Sequence, residues 1–91
     1  MTGIDAIAAE RARQIAKGFT PEHDDEHENR ELVDAAFVYA YQAEAWAVPV
    51  WPWEQDRIAK LRTLPRAQAL AIAGALIAAE LDRLERIGYK I

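Results

Sequence analysis

The sequence contains no cysteine. That excludes a disulfide framework and any thiolate metal site, and it leaves the redox compartment open. Serine is also absent, so the only aliphatic hydroxyls are those of Thr2, Thr20 and Thr63. Neither a glycine-rich phosphate loop nor a G-x-S-x-G nucleophile turn occurs, and the main nucleophilic enzyme templates find no residue to use. Long apolar runs are missing too. The longest, Ala67 to Ala79, is interrupted by Gln68 and is too short and alanine-rich to cross a bilayer. The opening "MTGIDAIAAERAR" lacks the basic region and apolar run of a secretory signal, so a soluble cytoplasmic protein is expected. Positive charge is in deficit: Lys and Arg number 11 against 15 Asp and Glu, for a net charge of −4. A sequence-independent nucleic-acid binder needs a basic face to displace counterions, so neither nucleic acid nor membrane is an expected partner.

What is present is helix-forming. The chain has 91 residues, enough for a single domain spanning 1–91. Hydrophobic residues make up 52%, much of that alanine, which has the highest helix propensity and lets helices approach closely. The expected fold class is all-α: a small bundle of three main helices with an aromatic Pro/Trp loop between the second and third. Ile4, Ile7, Ala8, Arg11, Ala12 and Ile15 recur at helical spacing and predict a helix from about Ile4 to Ala16, stopped by Gly18. Thr20-Pro21-Glu22 reads as a second helix start, with Thr20 as N-cap and proline at the first helical position. A second main helix is expected over about Asn29 to Ala47. Leu32, Ala35, Ala36, Tyr39, Ala43 and Trp46 form one stripe and Val33, Phe37 and Ala40 an adjacent one. So wide an apolar surface predicts a homo-oligomer. Pro49 and Pro52 bar helix in "AVPVWPWEQD", with a short helical turn expected over Glu54 to Leu61. Pro65 opens the last helix, running to about Arg86, with Leu70, Ala73, Leu76, Ile77, Leu81 and Leu84 inward and Gly88 as its stop.

Charged residues on apolar arcs are the next signal. Glu80 projects among Ala73, Leu76, Ile77 and Leu84, and Arg11 lies on the apolar stripe of the first helix. A buried charge must be paired or hydrogen-bonded. Arg11 and Glu80 therefore pair with each other, snorkel at the edge of a thin core, or line a polar pocket between helices. Glu44, beside Val33, Phe37 and Ala40, is a candidate contact between copies.

"TPEHDDEHENRE", Thr20 to Glu31, packs two histidines and six acidic residues into twelve positions. His23, His27 and Glu31 are spaced i, i+4, i+8 and share one face if the Thr20 helix is continuous. Two imidazoles and a carboxylate could then hold a divalent metal such as zinc, iron or manganese. The competing reading is an acidic helix start that complements the helix dipole. Trp51 and Trp53 either close the end of the core or form a wall on which a flat ligand stacks.

The blocks "AAERARQIAKGFTPEHDDEH", "ELVDAAFVYA", "WPW" and "AGALIAAELDRLER" together resemble a family of small proteins encoded by tailed phages and prophages, over roughly Ile7 to Arg86. "WPWEQDRIAKLRTLPRAQAL" departs from the corresponding loop of that family. A second resemblance, to the ryanodine-receptor repeat domain, rests on "ERARQIAKGFT…DD" and "RIGYKI", with a different spacing between them and Phe19 as the aromatic after Gly18. The phage family brings no established activity with it, and the ryanodine-receptor repeat would imply a helical module that binds nucleotide-derived ligands. With the small size, the two tryptophans and the histidine-acid stretch, the expectation is a phage accessory protein in the cytoplasm of a bacterial host that sequesters a nucleotide-derived ligand against host defence. Arg11, Arg13 or Lys17 would then meet phosphate, Trp51 or Trp53 would stack, Asp24 or Asp25 would take ribose hydroxyls, and Glu80 would line the pocket. "ELVD", Glu31 to Asp34, resembles the E-x-x-D element of all-α nucleotide pyrophosphohydrolases of the MazG kind, although the partner E-x-x-E element is missing. That resemblance implies metal-dependent hydrolysis, with His23, His27, Glu31, Asp34 and Glu80 as ligand candidates. A third reading is an acidic inhibitor that covers a basic surface of a host protein.

Overall fold

The computed structural model describes residues 1–26, 30–42 and 63–90. They form four helices: α1 (Gly3–Ala16), α2 (Pro21–Asp24), α3 (Glu31–Tyr41) and α4 (Arg66–Arg86). No strand occurs among the described residues, and the all-α bundle is as the sequence predicts. The Pro/Trp loop and the turn expected over Glu54 to Leu61 lie outside the described residues.

Local chemistry sets the ends. Thr2 caps α1: its hydroxyl accepts from the Asp5 backbone N–H, and the Asp5 carboxylate accepts from the Thr2 N–H, both at 3.1 Å. The Thr2 N–H holds the Asp5 carboxyl below its ordinary value of 3.8. This cap therefore acts in full above that value and is lost as pH falls through the lowered one. Gly18, at φ 107°, closes the helix as expected. Its N–H meets the Ile15 carbonyl, and the Phe19 N–H reaches back to Gln14. The end of α4 repeats the device, with Gly88 at φ 107° bonded to Glu85 and Tyr89 bonded to Leu84. Thr20 caps α2 through the His23 N–H, with Pro21 in the first turn.

α3 is shorter than periodicity predicts. It begins at Glu31 after Arg30 in the left-handed region (φ 67°), and it ends at Tyr41 because Gln42 is also left-handed (φ 52°). Apolar spacing alone cannot reveal such a stop, since the pattern runs on past it. Two side chains tie the end of α3 to the start of α4. Gln42 donates to the Leu64 carbonyl at 2.8 Å, and the Arg66 guanidinium donates to the Ala40 carbonyl.

α1, α2 and α3 all pack on α4. The core joins Leu32, Ala35 and Ala36 of α3 to Ile72, Ala73, Leu76 and Ala79 of α4, with Tyr39, Ala40 and Leu64 at its edge. On α4 the buried arc comprises Ala69, Ile72, Ala73, Ala75, Leu76, Ala79, Glu80 and Arg83. Leu70, Ile77 and Leu81, expected inward, are 44%, 50% and 42% exposed. Around Ile72 and Leu76 the buried arc is filled mainly with alanine, whose small side chain permits the closer approach, and Leu70, Ile77 and Leu81 are left outside it. No described helix is long and apolar enough to cross a membrane.

α1 meets α4 at Gly74. A Cβ there would lie 2.5 Å from Ile7 Cδ1 and 2.7 Å from its Cγ1. Ile7 can swing to admit one methyl group, and alanine recovers roughly 1 kcal/mol of helix propensity over glycine. Gly74→Ala is therefore expected to be near neutral. Gly74→Leu, which overfills the same notch, is expected to cost about 2 kcal/mol. Urea unfolding of both variants checks this, and a leucine variant as stable as the parent would refute the close contact.

Candidate functional site

The inward row of α1 is Ile7, Glu10, Arg11 and Gln14, an i, i+3, i+4, i+7 set that is mostly polar. Ile4 and Ile15, expected to share the inward stripe, are exposed instead. Burying polar groups requires partners. Glu10 takes a two-point contact from Arg13, with Nε at 2.8 Å and Nη2 at 2.5 Å, and Gln14 Nε2 approaches it at 3.5 Å. The hydrogen bond to Glu10 raises the Arg13 pKa, with burial working against it.

Arg11 and Glu80 are both largely buried, as their positions predict, but they do not pair with each other. Arg11 Nη2 meets Asp24 Oδ2 at 2.7 Å, and its Nη1 reaches the Phe19 carbonyl at 3.4 Å. Glu80 takes its bond from Arg83 on the same helix, Nε to Oε1 at 2.5 Å. Helical projection placed both charges correctly. It could not give Arg11 its partner, because Asp24 lies on a separate short helix, whereas Arg83 lies one turn beyond Glu80 on the same helix, at a spacing that pairs side chains.

The acidic stretch is resolved by its two adjacent aspartates. Asp24 is only 2% exposed and is bound by Arg11 of α1, so it is no solvent-facing rim for ribose hydroxyls. Asp25 is half exposed and takes Arg86 of α4 at 2.6 Å, while Arg86 also donates to the Pro21 carbonyl at 3.2 Å. The Asp25 bond raises the Arg86 pKa. One short helix thus grips α1 with one carboxylate and α4 with the next. His23 is half-buried, its ring edge-to-face with Phe19 at 5.3 Å.

The shared metal face is not formed by a continuous helix. α2 ends at Asp24 and α3 starts afresh at Glu31 after left-handed Arg30, so the i, i+4, i+8 geometry does not apply. His27 lies outside the described residues, as do Trp51, Trp53 and Glu44. Among the described residues no group of three or more His, Asp or Glu is arranged to hold a metal ion. Of the remaining candidates, Arg13 is 46% exposed at its side chain and Lys17 is exposed at the C-cap of α1.

Beside its exposed charges, the surface also carries large apolar side chains. Val33, Phe37 and Tyr41, 43%, 41% and 71% exposed, stand four residues apart on α3, and the Phe37 and Tyr41 rings touch with centroids 4.8 Å apart. Val33 and Phe37 belong to the second stripe that the sequence predicts; its third member, Ala40, is half-buried, and Tyr41 takes the outer place.

The buried Arg11–Asp24 pair gives a sharp expectation. Removing one partner leaves the other buried and uncompensated, so Asp24→Ala is expected to cost about 3 kcal/mol. Arg11→Met combined with Asp24→Leu, which replaces the pair with apolar bulk, should recover most of that loss. Chemical denaturation of the three variants reads the effect; equal losses in the single and double variants would contradict the pairing.

No protein family, curated protein or solved structure matches this chain.

Proposed function

We propose that this chain acts by binding rather than catalysis, and that its first partner is a second copy of itself. One observation carries the reading: the contact between α3 and α4 is built largely of alanine, and much of the larger apolar bulk lies outside. Leu32, Val38, Ile72 and Leu76 are buried, while Ile4, Ile15, Val33, Phe37, Leu70, Ile77 and Leu81 are exposed. Contiguous apolar surface of this kind marks interaction sites, and self-association is a common way for a small domain to enlarge its core.

The α3 row suits a two-fold contact. Antiparallel packing about Phe37 sets Val33 of one copy against Tyr41 of the other. A specific interface takes about 800 Å² from each partner, roughly an eighth of this chain's 6019 Å². Three side chains do not fill that area, so groups flanking the row contribute. Light scattering at tens of micromolar is expected to give a multiple of 10.2 kDa. Phe37→Glu should return the chain to that mass with its helical circular dichroism unchanged. A wild-type particle of 10.2 kDa would overturn the reading.

A second reading follows the phage-family resemblance: an accessory protein that sequesters a nucleotide-like ligand. Arg13, Lys17 and Asp25 favour it, since their side chains are at least partly exposed. They would offer two cations to phosphate and one carboxylate to hydroxyls. Titration calorimetry against nucleotides and cyclic signalling nucleotides is expected to show heat that is lost on Arg13→Ala. Silence across the panel, with no thermal shift, would count against it.

A further inference from the structure

We infer that α1 and α2 form one strap that detaches from α4 and re-docks as a unit while the α3–α4 pair stays folded. The two halves of the bundle are held by different chemistry. Leu32, Ala35 and Ala36 against Ile72, Ala73, Leu76 and Ala79 make the α3–α4 contact a dry one, reinforced by Gln42 on the Leu64 carbonyl and Arg66 on the Ala40 carbonyl. Separating it exposes apolar surface with no compensation.

The inward row of α1 is different. Ile7 is its one large apolar member, and Glu10, Arg11 and Gln14 are the rest. Detachment returns Glu10 and Gln14 to water, which recovers their desolvation cost. The Glu10–Arg13 pair lies within α1 and survives the motion. Opening therefore removes little that the strap does not keep or regain.

The strap is also locked to itself. Arg11 binds Asp24 at 2.7 Å and reaches the Phe19 carbonyl, so α1 cannot leave without α2. The turn between them is fixed by left-handed Gly18 and the Phe19–Gln14 bond. The outer tie to α4 is Arg86 on Asp25 and the Pro21 carbonyl, at side chains 33% and 47% exposed. An ion pair so exposed is weakened by salt.

Hydrogen exchange read by mass spectrometry on the full chain tests this. Amides of α1 and α2 are expected to exchange together, at least about tenfold faster than those of Ile72–Ala79 in α4, as a sub-global opening. Asp25→Asn removes the outer tie and is expected to speed α1 and α2 by about two- to fivefold while leaving the centre of α4 unchanged. Arg11→Met is expected to separate the rates of α1 and α2. A single rate of opening for α1 and α4 in the wild type, or an Asp25→Asn effect spread equally over all helices, would overturn the strap.

Discussion

Every described helix leans on α4, and the shortness of the side chains along its buried arc governs the rest of the molecule. Ala69, Ala73, Ala75 and Ala79 contribute little buried area each, so the core is thin. They also bring neighbouring helices close, and close helices gain dispersion contacts along their backbones. The bulk that a larger core would have absorbed is displaced outward, to Leu70, Ile77 and Leu81 on α4 and to Val33, Phe37 and Tyr41 on α3. Thin core and apolar exterior are two sides of one packing choice, and the same choice makes a second copy a natural occupant for the outer rows.

A thin core also decides where charge can sit. Glu10, Asp24, Glu80 and Arg83 are buried in a domain too small to keep them far from solvent; Glu10 and Glu80 find their counterparts one turn along the same helix, and Asp24 finds Arg11 on the helix before it. The acidic stretch that looked like a site is in part a joint. Its proline and threonine start α2, its first aspartate binds α1, and its second reaches α4. Removing both ions of the buried pair together is far gentler than removing one, since a lone buried charge is the costly state.

Much of this was legible in the residues. Gly18, Thr20, Pro21 and Gly88 set helix ends through backbone chemistry that depends on the residue and its near neighbours, and each behaves as its type dictates. Leu32, Ala35, Ala36 and Tyr39 fell on the right face because α3 is regular. The partner of Arg11 was not legible, because that pairing depends on how separate helices meet, whereas Arg83 stands three residues from Glu80 on the same helix and its spacing could have shown the pair. Glu10 and Gln14 were missed for a related reason. Only the polar row at 7, 10, 11 and 14 has the i, i+3, i+4, i+7 spacing centred on the contact, and hydrophobic periodicity counts apolar residues alone. The ends of α3 at Arg30 and Gln42 were hidden because neither residue type is a usual occupant of the left-handed region.

The notch at Gly74 has a consequence for alignment. α1 meets α4 along a row in which Ile7 is the only large apolar projection, and a flat polar row against a run of small residues would otherwise slide with little resistance. Ile7 in the gap left by glycine gives the pair a single register, as a key fixes a shaft to its hub. A shift of one turn would set that side chain against Leu70 or Ala78, where a Cβ already occupies the space. The position of the strap along α4, and with it the reach of Asp25 to Arg86, is thus favoured by the room that Gly74 leaves, which one methyl narrows and a larger side chain closes.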